Sequence, residues 1–183
     1  MAGRVRLYYK DLSDIVGGDG FSIIRLTDAD EQRAICVMCD KEMATQFYIR
    51  QRRVPNHRQM LPEVLAAMLL DEGANDLELM VYDISDGQYS VTLLNRRTLS
   101  LKSIRISDAV LLHYISKIPL YMDEALMARQ SISYQPDTSG LSIPINTLDV
   151  EWLNKELKRA VESEDYRLAA NLNEELKKRT QQQ

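Results

Sequence analysis

Long apolar runs are missing from this 183-residue chain. No stretch approaches the roughly 18–20 apolar residues that cross a bilayer, so no membrane-spanning helix is expected. Cysteine is scarce: two are too few for a disulfide framework and suit a reducing compartment. Histidine is equally scarce, with only His57 and His113, and the sequence holds no Ser-His-Asp set and no paired zinc motif. The Cys-x-x-Cys spacing of Cys36 and Cys39 stands alone. On a strand that odd spacing sends the thiols to opposite faces, so neither zinc nor redox use is expected. No phosphate-cradling glycine loop occurs. The N-terminal residues lack an apolar core and a small-residue cleavage site, so they do not read as a secretory leader, and a cytoplasmic address is expected.

What is present is ordinary for a globular chain, with 45% apolar and 27% charged residues. The net charge of −4 excludes a generally basic protein that coats nucleic acid. The charge is unevenly spread. No acid falls between Glu42 and Glu63, where Arg50, Arg52, Arg53 and Arg58 lie, with His57 among them. None falls between Asp86 and Asp108 either, and that stretch holds Arg96, Arg97, Lys102 and Arg105. Two basic segments in an acidic protein predict a local site for phosphate or another anion; the plainer alternative is two solvated faces.

Strand signals dominate the first part: residues 4–9, 21–26 and 33–39 are short β-branched or aromatic runs broken by Gly- and Asp-rich turns. A weak helix follows over 43–53 and a firmer one over 61–72. In the latter Pro62 suits the first turn, Val64, Leu65, Met68 and Leu69 form one apolar stripe, and Gly73 ends it. Leu77, Leu79 and Val81 alternate into Asp86-Gly87, and Tyr89, Val91 and Leu93 alternate back, which predicts a tight hairpin. A strand over 99–106 leads to Ser107-Asp108, either of which could cap a helix over 109–116. A short strand at 119–121 and a short helix over 122–129 complete a domain of residues 1–130.

Residues 131–146 are rich in Ser, Pro, Gly and Thr with Asp137 as the one charge, which is a linker composition. Residues 147–183 then read as two helices joined at 162–164. Leu153, Leu157 and Ala160 stripe the first; Tyr166, Ala169, Leu172 and Leu176 stripe the second. So small a unit buries little by itself and should dock on another copy, the main domain or a different protein. The fold class expected is α+β, a mixed sheet with helices mainly on one face, followed by an α-helical hairpin.

Two stretches carry family resemblances. Glu42-Met43-Ala44, the helix ending at Gly73, Ile84-Ser85-Asp86-Gly87-Gln88-Tyr89 and Arg105-Ile106-Ser107-Asp108-Ala109 occur in an order that resembles the bacterial bifunctional nuclease family. That family opens its last motif as Arg-Pro-Ser-Asp-Ala and follows it with an apolar-Pro-apolar strand, matched here by Ile118-Pro119-Leu120. It also carries Thr-His-Asp at the start of the central helix, where this chain has Leu61-Pro62-Glu63, and Ile106 stands for the proline. Separately, Glu164-Asp165-Tyr166-Arg167-Leu168-Ala169-Ala170 with Leu172 and Glu175 resembles the UVR motif, the helical hairpin of the UvrB and UvrC repair proteins.

The first resemblance implies phosphodiester hydrolysis of DNA or RNA; the second implies protein contact and no chemistry. Such hydrolysis needs charge stabilisation from arginines or from a divalent metal such as Mg or Mn held by carboxylates. The acids at motif positions are Glu42, Glu63, Asp86 and Asp108. Arg105 at a strand end beside Ser107 and Asp108 at a helix start would make an anion site, unless those residues merely cap the helix and pair with one another. Catalysis is therefore expected of Arg105, Ser107, Asp108, Glu42 and Glu63, and nucleic-acid contact of Arg50, Arg52, Arg53 and Arg58. Partner capture or self-association is expected of Leu153, Leu157, Tyr166, Ala169 and Leu172. Asp86 reads as a turn residue, His57 as a loop residue within reach of phosphate or solvent, and His113 as a packing residue. The alternative to a nuclease is a non-catalytic adaptor binding proteins and nucleic acid.

Overall fold

The computed structural model describes residues 3–15, 20–71, 73–134, 145, 148 and 150–180. Its strands are β1 (Arg4–Asp14), β2 (Ser22–Thr27), β3 (Arg33–Cys39), β4 (Leu77–Ser85), β5 (Gln88–Asn95), β6 (Ser100–Ile104), β7 (Leu120–Asp123) and β8 (Ile132–Ser133). The helices are α1 (Lys41–Gln51), α2 (Leu61–Asp71), α3 (Ile106–Ser116), α4 (Glu124–Gln130), α5 (Val150–Glu162) and α6 (Tyr166–Thr180). The strands form one mixed sheet in the order β6-β5-β4-β7-β1-β2-β3-β8, in which only β4 and β7 run parallel. The α+β class is as expected.

The shape of the sheet follows from β1. It pairs with β7 through Leu7 and with β2 from Tyr8, and its register slips between Tyr9 and Asp11. Such a bulge bends a strand and increases its twist. Strands distant in the order, β3 and β5, consequently both pack on α3. That helix buries Ala109, Val110, Leu111, Leu112 and His113, so it is apolar around most of its circumference, as a helix enclosed by other elements must be. Between β4 and β5, Asp86 and Gly87 take φ values of 49° and 73°, the positive pair that a two-residue hairpin turn requires.

Two expectations change. The apolar stripe of α2 does not face the core: Ala66 is buried and Leu69 packs inward, while Val64, Leu65 and Met68 are exposed. The inward face is fixed instead by Glu63, which forms two hydrogen bonds of 2.7 Å with the buried Arg50 of α1. The interval 131–146 begins with sheet rather than linker, since Arg33 and Ala34 of β3 pair with Ser133 and Ile132. Most of the remaining interval lies outside the described residues.

The hairpin stripe meets the chain itself. Leu148, Trp152, Leu153, Ala160, Ala169 and Leu172 form a second core with Phe21 and Met38 packed against it. Met38 alternates with Val37, which belongs to the main core, so α5 and α6 cover the opposite face of the sheet from α1 and α3. Trp152 stacks edge-on against Phe21 at 5.6 Å. Arg179 of α6 reaches Asp86 at the β4–β5 turn at 3.1 Å. The hairpin thus lies on the face of the sheet opposite α1 and α3, as an addition to the expected α+β arrangement.

Candidate anion-binding cleft

Three segments remote in sequence meet beside this second core. The end of β3 supplies Met38, Cys39 and Asp40; the β4–β5 turn supplies Gly87, Gln88 and Tyr89; the start of α3 supplies Arg105, Ile106 and Ser107. They enclose a cleft of about 300 Å³, with Phe21 in its wall. Phe21 and Met38 also touch the hairpin core, so α5 and α6 support one side of the cleft.

Two helices begin here in different ways. Asp40 caps α1, its carboxylate accepting from the Met43 amide at 2.7 Å. The cap of α3 is Arg105, in extended conformation and with no side-chain cap to the helix's backbone amides. Neither Ser107 nor Asp108 caps it, contrary to expectation: both sit inside the first turn, because the helix starts at Ile106. Ile106 occupies the first helical position, where proline is well suited, so the family's Arg-Pro-Ser-Asp order fits this geometry residue by residue. The first-turn amides of α3 have no intrahelical partners, and the helix dipole adds positive potential at the cleft.

Arg105 carries the formal positive charge. Its Nε donates to Asp108 Oδ2 at 2.6 Å. That hydrogen bond, with the charges of Asp108 and Asp40, holds the guanidinium more firmly protonated than usual. The side chain remains 70% exposed, so its other nitrogens can reach a ligand. Ser107 is half-buried, and its hydroxyl makes no hydrogen bond among the described residues. Tyr89 is 7% exposed; its hydroxyl is buried without a hydrogen-bond partner, and burial pushes its pKa up. Burial likewise pushes the thiols of Cys36 and Cys39 up to about 11 and about 12, so both stay protonated and inert as nucleophiles.

The remaining candidates lie elsewhere. Glu63 is ion-paired with the buried Arg50, and neither side chain lines the cleft. Glu42 is exposed on the first turn of α1 and makes no ion pair among the described residues. Arg52 and Arg53 are exposed at the end of α1 and Arg58 in the 3₁₀ turn His57–Gln59, where His57 Nδ1 bonds the Val54 carbonyl at 2.8 Å. Of the hairpin residues, Leu153, Leu157, Ala169 and Leu172 are in the second core, whereas Tyr166 is 69% exposed. Among the described residues no three His, Cys, Asp or Glu side chains converge as a metal site. The carboxylates Glu42, Glu63, Asp86 and Asp108 therefore do not form a cage for Mg or Mn as they stand.

Sequence reasoning missed Asp40, Gln88 and Tyr89 as neighbours of Arg105. Asp40 was visible as a helix cap three residues before Met43; its approach to Arg105 depends on the bend of the sheet. A family model for the bifunctional nuclease domain matches residues 24–135, which include every cleft residue except Phe21. A search of curated proteins finds no match.

Proposed function

The chain belongs to the bifunctional nuclease domain family, and from that premise we propose that the cleft at the start of α3 receives a phosphodiester of DNA or RNA. One observation carries the reading. The segments 84–89 and 105–109, which resemble the family motifs, are brought to one cleft although they are separated in sequence. A phosphate there would accept from Arg105, from the Ser107 hydroxyl and from the uncapped amides of α3, a combination suited to an anion. Tyr89 supplies a protonated hydroxyl in the wall, and a small movement of its ring would give that donor a partner.

Hydrolysis is the activity that the family name supports. The same arginine and amides would stabilise charge developing on the phosphorus oxygens. Binding without cleavage is the second reading, favoured by Pro62 in place of the family histidine and by the engagement of Glu63 with Arg50. Incubating purified protein with single-stranded DNA and RNA, with and without magnesium or manganese, separates the two. Cleavage lost in Arg105→Ala supports hydrolysis at this cleft. Binding lost in the same variant, with no cleavage by the parent, supports the adaptor. If Arg105→Ala changes neither, the cleft is not the site.

The hairpin, which resembles the UVR motif, would contact a partner protein through Val161, Tyr166 and Leu168 near its tip. These are its exposed large apolar residues among those described, since the rest of the expected stripe is already covered.

A further inference from the structure

The outer face of α2 is an apolar surface left open to solvent. Leu61 is 79% exposed, Val64 44%, Leu65 48% and Met68 61%. Their i, i+3, i+4, i+7 spacing places them in one stripe, opposite Ala66, which is buried against the domain. A solvated helix face is normally charged. Between Leu61 and Leu70 the only charged residue is Glu63, which is turned inward to Arg50. The helix therefore presents water with a seam of the kind that pairs helices.

We propose that this seam is covered by α2 of a second copy, packed antiparallel across a twofold axis near Val64 and Leu65. Charge argues for a second copy over an unrelated protein. The N-terminal end of the stripe is flanked by the exposed Arg52, Arg53 and Arg58, and the C-terminal end by the exposed Asp71. The ion pair between Arg50 and Glu63 holds the end of α1, and with it Arg52 and Arg53, against the first turn of α2. Antiparallel pairing brings each basic end to the other copy's Asp71 and opposes the two helix dipoles; parallel pairing would set arginines against arginines. The surface is self-complementary, as a twofold contact must be.

Size agrees. The four side chains expose on the order of 400 Å² per copy, and a pair with its polar rim reaches the ~1,000 Å² that a specific contact needs. This is an assembly surface distinct from the hairpin, and it does not depend on what the cleft binds.

Sedimentation equilibrium on the full chain tests it. The parent should sediment at micromolar concentration with twice its 21.0 kDa mass. Leu65→Glu with Met68→Glu should return a monomer that still unfolds cooperatively, because neither side chain is in the core. Leu65→Cys gives a second measurement that needs no disruption of the interface. Near a twofold axis it should oxidise to a disulfide-linked dimer, whereas Leu99→Cys, at a site 78% exposed on the loop before β6, should not. A monomeric parent overturns the proposal and assigns the seam to a foreign partner. So does a glutamate variant that stays dimeric, or crosslinking at position 65 that is no better than at 99.

Discussion

The two acid-free segments look alike in sequence and end differently in space. In the first, Arg50 is buried against Glu63, with side chains 4% and 12% exposed, and only Arg52, Arg53 and Arg58 reach solvent. In the second, each arginine finds an acid: Arg96 lies 3.8 Å from Glu78, Arg97 3.2 Å from Asp76, and Arg105 2.6 Å from Asp108. Arg105 nevertheless is the one that borders a cleft. A run of basic residues is thus not a basic surface. What separates a site from a solvated face is convergence with a cavity and with donors that lack partners, and that is a property of the fold.

The largest effect that sharpens this contrast is on stability. Glu63→Ala leaves the Arg50 charge buried without its partner and should cost about 3–5 kcal/mol in urea unfolding, whereas Arg58→Ala on the exposed turn should stay within about 0.5 kcal/mol. Equal costs would mean that Arg50 is not structural.

Next comes His113, just beyond the second segment. His113 is buried and its Nδ1 bonds the Ile118 carbonyl at 2.7 Å; burial, only partly offset by that bond, holds its pKa below the ordinary value. The unfolded chain therefore binds this proton more readily than the native one. Stability contributed by neutral His113 is full above the unfolded pKa of about 6.5 and falls as pH drops below it. The melting temperature of His113→Leu should vary less between pH 7 and pH 5 than that of the parent. A His113→Leu curve parallel to the parent's would contradict this.

A smaller effect concerns Tyr89. Its hydroxyl has no partner, so Tyr89→Phe should leave stability unchanged or slightly raised while weakening single-stranded DNA binding by a few-fold. Unchanged binding would remove the hydroxyl from the site.

Local rules made much of the fold legible. Alternation located β4 and β5, and Asp86-Gly87 their turn; β3 has the boundaries read from its β-branched run. Orientation was not legible. Periodicity drew the stripe on α2 but could not show that Glu63 and Ala66 would turn inward, because that choice depends on Arg50 thirteen positions earlier. The hairpin stripe was read correctly at Leu153, Ala160, Ala169 and Leu172, yet its cover of Phe21 and Met38 is a contact between ends of the chain that no local pattern encodes. Arg105 and Ser107 were recognisable from their motif, and Asp108 as an acid beside them. The start of α3 was misplaced because Ser and Asp are good caps, whereas the helix begins earlier, at Ile106.

Arg105 and the open start of α3 form the proposed phosphate-binding centre. The direct measurement is fluorescence anisotropy of labelled single-stranded DNA and RNA across a salt series, for the parent, Arg105→Ala, and a variant with Arg52, Arg53 and Arg58 all changed to Ala. Arg105→Ala should weaken binding about tenfold, the order expected for one charge-assisted phosphate contact, and should reduce the salt slope by about one. The triple variant should stay within about threefold of the parent, as expected of rim charges. A triple variant that loses binding beside an Arg105→Ala protein that keeps it would move the site to the end of α1 and contradict the account.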